Sequence, residues 1–354
     1  MVSAGPDADG ERRSGLDTAG LVVLGACAAW SLITAAAGDG RPEGVLLAVL
    51  AVAAGYAAGR IGGALLPVAA PCAGALAGLG LAVAVPRLAP EPQITTPLGH
   101  AGALAAVLAL SAGAACCAAR ATSSPALRFA LRLPAAGIVV TAAALGPAAG
   151  CVAGAGVLLC SLAAGRVRRR GPAVAALAAA VAGVTGLTWA VAGNTVPAGL
   201  TDALEGRLTP YRVELWRDAL GMVRHDAGLG VGPGRFGELS TAAGRTVLSD
   251  GRPHSAPFQL AAEQGVVGVA LLALAFGWVL CALWRSPRAT PVVLSAGAAL
   301  TAVAAVAAVG NALSFTAVSV GAGLLAGLAT ARPLTSGAPE RPTDTPARGT
   351  LRTP

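Results

Sequence analysis

The chain has 354 residues, of which 55% are hydrophobic and 12% are charged, and its mean hydropathy is +0.70. Soluble domains carry about 25% charged residues, so this composition excludes an ordinary soluble protein and predicts an all-α polytopic membrane protein. The basic residues behind the formal net charge of +8 are all arginine, and they fall mostly between apolar segments. That distribution is typical of membrane topology and gives no indication of nucleic-acid binding.

Ten apolar stretches have about the length of a membrane-spanning helix, which needs roughly 20 apolar residues. They cover residues 18–37, 43–59, 62–85, 99–119, 133–146, 148–165, 171–193, 262–283, 289–310 and 314–331. The fifth and sixth stretches are separated only by "LGPAAG" (145–150). We predict a break there, because Pro147 cannot donate to the helix ladder.

The positions of the arginines decide between nine and ten spans. The clusters are Arg12 and Arg13, Arg60, the three arginines of 120–132, "RVRRR" (166–170), Arg285 and Arg288, and the tail. With ten spans all of them fall on one side, which the positive-inside rule makes cytoplasmic. With nine spans the 166–170 cluster would lie opposite the 120–132 cluster. We therefore expect ten spans, with both termini in the cytoplasm.

This topology divides the chain into five segments. They are a polar cytoplasmic N-terminus (1–17), a transmembrane bundle of about seven spans (18–193), a long extracytoplasmic loop (194–257), about three C-terminal spans (258–331) and a cytoplasmic tail (332–354). The tail is rich in Pro, Thr and Arg, so we expect it to be disordered. An external loop of this length usually carries function.

Within the loop, "TPYRVELWRDALGMVRH" (209–225) predicts an amphipathic helix. Thr209 can cap the helix, and Pro210 suits its first position. Four apolar residues share one face at helical spacing: Val213, Trp216, Leu220 and Val223. The helix could rest on the membrane surface or pack over the transmembrane bundle, and we expect Trp216 to be an interfacial anchor rather than a ligand platform.

The next stretch, "GLGVGPGRFG" (228–237), holds five glycines and a proline and cannot form a regular helix. Such a segment lets backbone N–H groups approach an anion closely, although a tight turn is the simpler interpretation. It is not a P-loop, because no Gly-Lys-Ser/Thr follows, and it is not a dinucleotide fingerprint, because no strand–helix unit surrounds it.

The stretch "DGRPHSAPFQLAAEQGVVG" (250–268) leads into the eighth span. We expect this helix to start at Ser255 or Pro257, which places His254 at its external N-terminus, beside the positive end of the helix dipole. Histidine is the side chain best suited to proton transfer near neutral pH, although a surface position is the ordinary alternative. Glu263 lies one or two turns into the helix, where it needs a partner such as Arg or a wet cavity.

Taken together, "YRVELWRDALGMVRHDAGLGVGPGRF" and "PHSAPFQLAAEQGVVG" resemble the O-antigen ligase family, a group of polytopic bacterial glycosyltransferases. The matching positions are Arg212, Trp216, Ala219, Gly230, Gly232, Gly234, Phe236, His254, Glu263, Gly265 and Gly268. The chain departs from the family pattern in four places. Ser255 replaces an Asn, residues 225–227 lack a Pro, 141–150 lacks a hairpin Arg, and ten spans stand against about twelve.

The resemblance implies an enzyme of the bacterial inner membrane that moves a glycan from a polyprenyl-pyrophosphate carrier to an acceptor hydroxyl on the outer face. In this interpretation His254 is the base, and Arg212 binds the donor pyrophosphate. Further arginine candidates for pyrophosphate binding are Arg217, Arg235 and Arg252. Glu263 would orient these groups, and a glycine segment would shape the donor pocket: Gly230, Gly232, Gly234 and Phe236.

The resemblance implies no metal or other cofactor. It implies three kinds of partner: the lipid bilayer, the lipid-linked donor, and a lipid, glycan or protein acceptor. Two alternatives remain open from the sequence. One is a polymerase that joins lipid-linked repeat units on the same architecture. The other is a non-catalytic scaffold or a transporter in envelope assembly.

Overall fold

The computed structural model describes residues 6–88, 97–145, 148–196, 210–245 and 251–334, and these residues form helices and connecting turns. The long helices are α1 (Pro6–Gly38), α2 (Glu43–Leu65), α3 (Ala69–Leu88), α4 (Pro97–Ala121), α5 (Pro125–Leu145), α6 (Ala148–Ala164) and α7 (Arg170–Ala192). The loop after α7 contributes α8 (Pro210–His225), α9 (Phe236–Leu239) and α10 (Thr241–Gly244). The chain continues through α11 (Ala256–Trp284), α12 (Thr290–Val309), a 3-10 helix (Ala312–Ser314) and α13 (Thr316–Thr330).

The predicted all-α polytopic membrane fold is confirmed. Each of the ten predicted spans coincides with one helix, and seven helices of the described chain are long and apolar enough to cross a membrane. These seven are α1, α2, α4, α5, α7, α11 and α12, while α3, α6 and α13 contribute shorter apolar stretches. The count of ten spans and the side on which the termini lie stay predictions.

Two predicted boundaries differ from the structure. Helix α2 continues to Leu65 instead of ending at residue 59, and α3 begins at Ala69 instead of 62. The turn falls at Leu66, which precedes Pro67 and has left the helical region with φ −131° and ψ 71°. A residue before proline disfavours the helical conformation, so the chain turns here and not at the arginine six residues earlier.

Other predictions fall outside the described residues. The tip of the "LGPAAG" break (residues 146 and 147), the Thr209 cap and the tail from residue 335 belong to this group. Helix α5 does end at Leu145 and α6 does begin at Ala148, in agreement with a break at this place.

Helices α4 and α12 form the centre of the bundle. Of their apolar windows 78% is buried inside the protein, compared with 17% for α2, α5 and α7. The central helices contact each other, and between them they contact α3, α5, α6, α7 and α13. Many of their buried residues are alanine, whose small side chain lets neighbouring backbones approach closely. Close packing matters here because the hydrophobic effect does not favour association between helices within lipid.

Helices α2 and α13 pack backbone against backbone. Gly55, Gly59 and Gly63 on α2 face Gly323 and Gly327 on α13. A Cβ atom added to Gly59 would overlap a carbonyl oxygen of α13, and one added to Gly327 would overlap a carbonyl oxygen of α2. The small-xxx-small spacing of both glycine rows is the pattern of close helix contact in membranes.

The arginine clusters that flank the predicted spans are tied together at one end of the bundle. Arg60 pairs with Asp17 at 2.9 Å, and Nη2 of Arg288 donates to the carbonyl of Gly63 at 2.6 Å. Arg170 in turn donates to the carbonyl of Arg288 at 2.6 Å. Arg170 and Arg288 thus satisfy backbone carbonyls, whereas Arg60 pairs with a carboxylate. The arginines that mark this end of the bundle therefore also hold its helices together.

We expect Gly59→Ala to destabilise the protein, because the new methyl group overlaps backbone that cannot rotate away. The free energy of unfolding should fall by about 1–3 kcal/mol. Gly44→Ala, on the same helix with open space around it, is the matched control. Thermal unfolding of both variants in detergent checks this, and equal stability of the two would contradict the proposed contact.

Candidate functional site

The amphipathic helix α8 packs against the bundle, which is one of the two placements that its sequence allowed. It packs on α7 and α11 and buries Val213, Leu215, Trp216 and Ala219. Trp216 is fully buried, so the expectation that it anchors the helix at the membrane interface is wrong. The reason is that Phe258, in the first turn of α11, offers a flat apolar partner to its ring.

Three aromatic rings stack where α7, α8 and α11 meet. The ring of Phe258 lies between Trp216, with centroids 5.4 Å apart, and Trp189, with centroids 5.0 Å apart. Both pairs are nearly parallel, at 18° and 16°. Nε1 of Trp216 also donates to the carbonyl of Pro253 at 2.9 Å, so α8 holds the residue that immediately precedes His254.

His254 is buried at the N-terminal end of α11, which is called the mouth of this helix below. It is 2% exposed, which excludes the alternative of an ordinary surface histidine. Its φ of +51° is rare for a residue with a side chain and persists only where the surroundings hold it. Ser255 is the N-cap residue of α11 and Pro257 lies in its first turn, which confirms the predicted start of this helix.

Helix α11 is not continuous, as the sequence predicted for residues 262–283, but breaks at Gly265. This residue has φ 68° and ψ −166°, a combination that is essentially restricted to glycine. A Cβ atom there would lie 2.6 Å from the carbonyl oxygen of Ala227. The helix breaks because the glycine segment (residues 228–237) enters the space that an ordinary side chain would occupy.

The glycine segment takes over the hydrogen bonds that the break removes from the helix. The N–H of Val231 donates to the carbonyl of Ala262 at 2.9 Å, and the N–H of Gly232 donates to the carbonyl of Glu263 at 3.0 Å. Gly230, with φ +68°, lies so close to this turn that a Cβ would come within 2.6 Å of the Ala262 oxygen. The glycines are thus needed for close approach to the helix backbone.

The remaining backbone groups at the break have partners from elsewhere in the chain. The N–H of Val266, just after the break, donates to the carbonyl of Ala227 at 2.9 Å. Nε1 of Trp30 on α1 donates to the carbonyl of Gln264 at 3.0 Å. An interrupted helix in a membrane protein is stable only when its freed groups are satisfied in this way.

The carboxylate of Glu263 is 3% exposed and accepts hydrogen bonds from the backbone N–H groups of Gly234 and Phe236. Nε2 of Gln259, one turn earlier, lies 3.4 Å from each carboxylate oxygen. Arg252 adds favourable charge from the mouth of the helix. Arg252 thus acts on this buried acid only through its charge, and the contacts come from backbone amides and Gln259.

Most amides of the glycine segment bind groups of the protein itself. Oδ1 of Asp226 accepts from the N–H groups of Gly228 and Leu229, each at 3.0 Å. The N–H of Arg235 donates to the carbonyl of Gly232 at 3.3 Å. The segment is a folded turn that receives Glu263, so its amides are not available as an open cradle for an external phosphate.

Arg212 is a half-buried cation on α8, one turn before Trp216. Its Nε is buried without a hydrogen-bond partner, and no carboxylate among the described residues lies within 4.0 Å of its guanidinium. Burial lowers the pKa of the Arg212 guanidinium, because desolvation disfavours the charged form. An anion bound here would compensate for the lost hydration.

The other arginine candidates lie in different surroundings. Nη1 of Arg235 donates to the carbonyl of Gly38, the last residue of α1, at 2.6 Å, and its Nε lies 3.5 Å from Glu238. Arg217 is exposed on α8, whereas Arg252 is half-buried close to Glu263. The structure thus places Arg252 near Glu263, and His254 follows Arg252 by two residues at the start of α11.

Several supporting residues escaped the sequence analysis. Asp218 on α8 accepts from Oγ of Ser240 at 2.7 Å and from the N–H of Ala242 at 2.9 Å, and so holds α9 and α10 in place. Asp226 could have been found, since an Asp two residues before a glycine favours a local turn. Trp30 carried no local signal, because its partner is 234 residues away.

The described chain is thus a helical membrane bundle in which the loop between α7 and α11 folds back over the N-terminal end of one broken helix. The family model O-Antigen ligase (Wzy_C) matches residues 129–273, about two fifths of the chain, which include α8, the glycine segment and the mouth of α11. This match supports the resemblance to the O-antigen ligase family that was seen in the sequence. No curated protein and no solved structure matches the chain.

The family supports a function of the O-antigen ligase or polymerase type, an enzymatic role and a place in the bacterial inner membrane. It also implies that the partners of the chain include the lipid bilayer and lipid-linked glycan.

We expect Gly265→Ala to destabilise the site, because alanine can neither adopt this backbone conformation nor fit against residues 227 and 228. The loss should be at least about 2 kcal/mol of the free energy of unfolding. Gly277→Ala, later on the same helix with nothing within 4 Å, should be neutral or slightly stabilising. Thermal unfolding and limited proteolysis of the loop between α7 and α11 distinguish the two variants. If Gly265→Ala is as stable as wild type, the helix does not break at this residue.

Proposed function

We propose that the protein is a glycosyltransferase that moves a glycan from a polyprenyl-pyrophosphate carrier to an acceptor hydroxyl on the outer face of the membrane. His254 is the base, and Arg212 binds the pyrophosphate of the donor. The site uses no metal, because guanidinium groups take the place of a cation in stabilising the leaving group. Family membership supports the class of reaction, and the surroundings of the two residues support their roles.

The observation that carries this proposal is the desolvated guanidinium of Arg212. A half-buried cation without a carboxylate partner in the described chain is costly unless an anion occupies the site during function. Pyrophosphate carries dense negative charge on oxygens that match the planar fork of arginine. The adjacent turn of α8 carries Trp216, which holds Pro253, so the same helix connects the anion site to His254.

His254 is suited to take a proton from the acceptor hydroxyl as its oxygen attacks the anomeric carbon of the donor sugar. A carbon–oxygen bond to the acceptor forms while the bond from that carbon to the pyrophosphate oxygen breaks. The proton goes to the imidazole, and the electron pair leaves with the carrier pyrophosphate. Burial at the mouth of α11 holds the ring in one place, as a positioned base requires.

Arg252 and Arg217 remain further candidates for pyrophosphate contact in this proposal. Arg235 is less available, because it already donates to the end of α1 and pairs with Glu238. A polymerase of lipid-linked repeat units would use the same donor chemistry with a sugar hydroxyl on a second carrier-linked chain as acceptor. A scaffold or transporter would need neither an intact base nor an anion site.

The proposed function predicts that a deletion strain accumulates polyprenyl-pyrophosphate-linked glycan. Wild type should clear this pool, because transfer releases the carrier. We would measure the pool by mass spectrometry of extracted lipids after confirming equal membrane levels of each complementing protein. A deletion strain with a normal pool would point to the scaffold or transporter. A longer surface glycan in the wild type alone would identify the polymerase.

Arg212→Ala should weaken the binding of inorganic pyrophosphate to the purified protein by about tenfold or more, because a charge-assisted contact is lost. Arg224→Ala, an exposed arginine in the last turn of the same helix, is the matched control and should bind as wild type. Calorimetry in detergent gives both affinities. Equal affinity in wild type and Arg212→Ala would remove Arg212 from the donor site.

His254→Asn should reduce transfer by about 100-fold or more, the ordinary contribution of a positioned base. Asparagine tolerates the left-handed backbone conformation of this residue, so the mouth of α11 keeps its shape. Carrier-linked glycan should therefore persist in a strain complemented with this variant, while pyrophosphate binding is retained. Clearance of the pool at the wild-type rate would show that another group accepts the proton.

A further inference from the structure

Glu263 occupies an unusual place for a residue with a catalytic role. It lies two residues before the break in α11, and the glycine segment binds both its backbone and its side chain. Its carbonyl accepts from Gly232, and its carboxylate accepts from Gly234 and Phe236. The same loop segment thus binds both the backbone and the side chain of one helix residue.

The lone pairs of the carboxylate are largely used by these contacts. Besides the two backbone amides, Nε2 of Gln259 lies at 3.4 Å from each oxygen, and the residue is 3% exposed. A carboxyl group buried to this degree is surrounded by groups of the protein itself and offers no open face to a substrate. Its geometry is that of an anion bound in a nest of backbone N–H groups.

We propose that Glu263 is a positioning residue: its carboxylate occupies the amide nest of the glycine segment, in the place of an external phosphate, and so fixes that segment against the mouth of α11. The donor pyrophosphate is then bound by guanidinium side chains and not by the glycine amides. The statement about the donor pyrophosphate rests on the proposed function, whereas the attachment of the glycine segment to Glu263 does not.

The consequences of this contact extend to the first two helices. The carbonyl of Pro233 in the glycine segment accepts from the N–H of Arg41 at 2.7 Å, and Arg235 donates to the carbonyl of Gly38. The loop between α1 and α2 is therefore attached to the same segment. A segment held by Glu263 therefore also holds this loop beside the site.

The first test is hydrogen exchange of the purified protein with Glu263→Gln. Glutamine keeps one acceptor oxygen but turns an NH₂ group toward a backbone donor, so one of the two amide bonds is lost. Peptides that cover residues 228–236 should exchange about tenfold faster or more. Peptides from the central helices α4 and α12 should be unchanged, which separates local release from general destabilisation.

Glu214→Gln is the matched control, since Glu214 is an exposed carboxylate on α8 whose contact with Arg245 is 3.9 Å long. It should leave exchange of residues 228–236 unchanged. If Glu263→Gln exchanges in this segment as slowly as the control, the proposal is overturned. If Glu263→Gln does not reach the membrane, Gln259→Leu removes only the weaker contact and should accelerate exchange of the same peptides. Unchanged exchange there overturns the proposal as well.

A second readout separates positioning from direct catalysis. Glu263→Gln should bind inorganic pyrophosphate within about twofold of wild type, because the arginine site is intact, yet clear carrier-linked glycan more slowly. Loss of clearance with normal exchange of residues 228–236 would make Glu263 a catalytic group and overturn the proposal. Faster exchange together with normal clearance by His254→Asn would refute the proposed function and leave the fixing of the segment intact.

Discussion

The break in α11 at Gly265 is the constraint on which the loop between α7 and α11 depends. A helix that stops and restarts within a membrane protein leaves backbone carbonyls and N–H groups without partners, and each buried unsatisfied group costs about 1–3 kcal/mol. Here the partners come from Val231, Gly232 and Trp30. Three parts of the chain that are far apart in sequence must therefore meet at this turn for any of them to be stable.

This requirement explains the composition of the loop. Gly230 approaches the backbone of residues 262–264, and Gly265 approaches that of residues 227 and 228, too closely for a side chain at either position. Both glycines have a positive φ. Glu263 then fills the amide nest that the turn creates, so the same contact that completes the broken helix also orders the segment beside the mouth. The aromatic stack around Phe258 supplies the apolar counterpart, since it holds α8 and Pro253 where the polar contacts need them.

Charge is distributed differently at the two ends of the bundle. At one end Arg60, Arg170 and Arg288 are engaged with an aspartate and with helix carbonyls, so their positive charge stabilises the packing of helices. At the other end Arg212 is desolvated as well, but within the described ranges its guanidinium has neither the carbonyl contacts of Arg170 and Arg288 nor a carboxylate partner. Arginines of the first kind are structural, whereas one of the second kind is suited to a bound anion.

The sequence by itself determined the class of fold, the apolar helices, the amphipathic helix at 210–225 and the start of α11 after Ser255. Local rules suffice for these features, because hydrophobic length, helical period and cap residues act within a few turns of the chain. It also pointed to His254, Arg212 and Glu263 through the order of motifs in one family.

Only the tertiary structure decided what these residues contact. Trp216 was expected at the membrane interface and is instead buried on Phe258, and α11 was expected to be continuous and instead breaks. The glycine segment could have held an external anion, but it holds Glu263. Each outcome depends on a partner distant along the chain, as with Trp30 and Gln264, and no local pattern of hydropathy or propensity records such a partner.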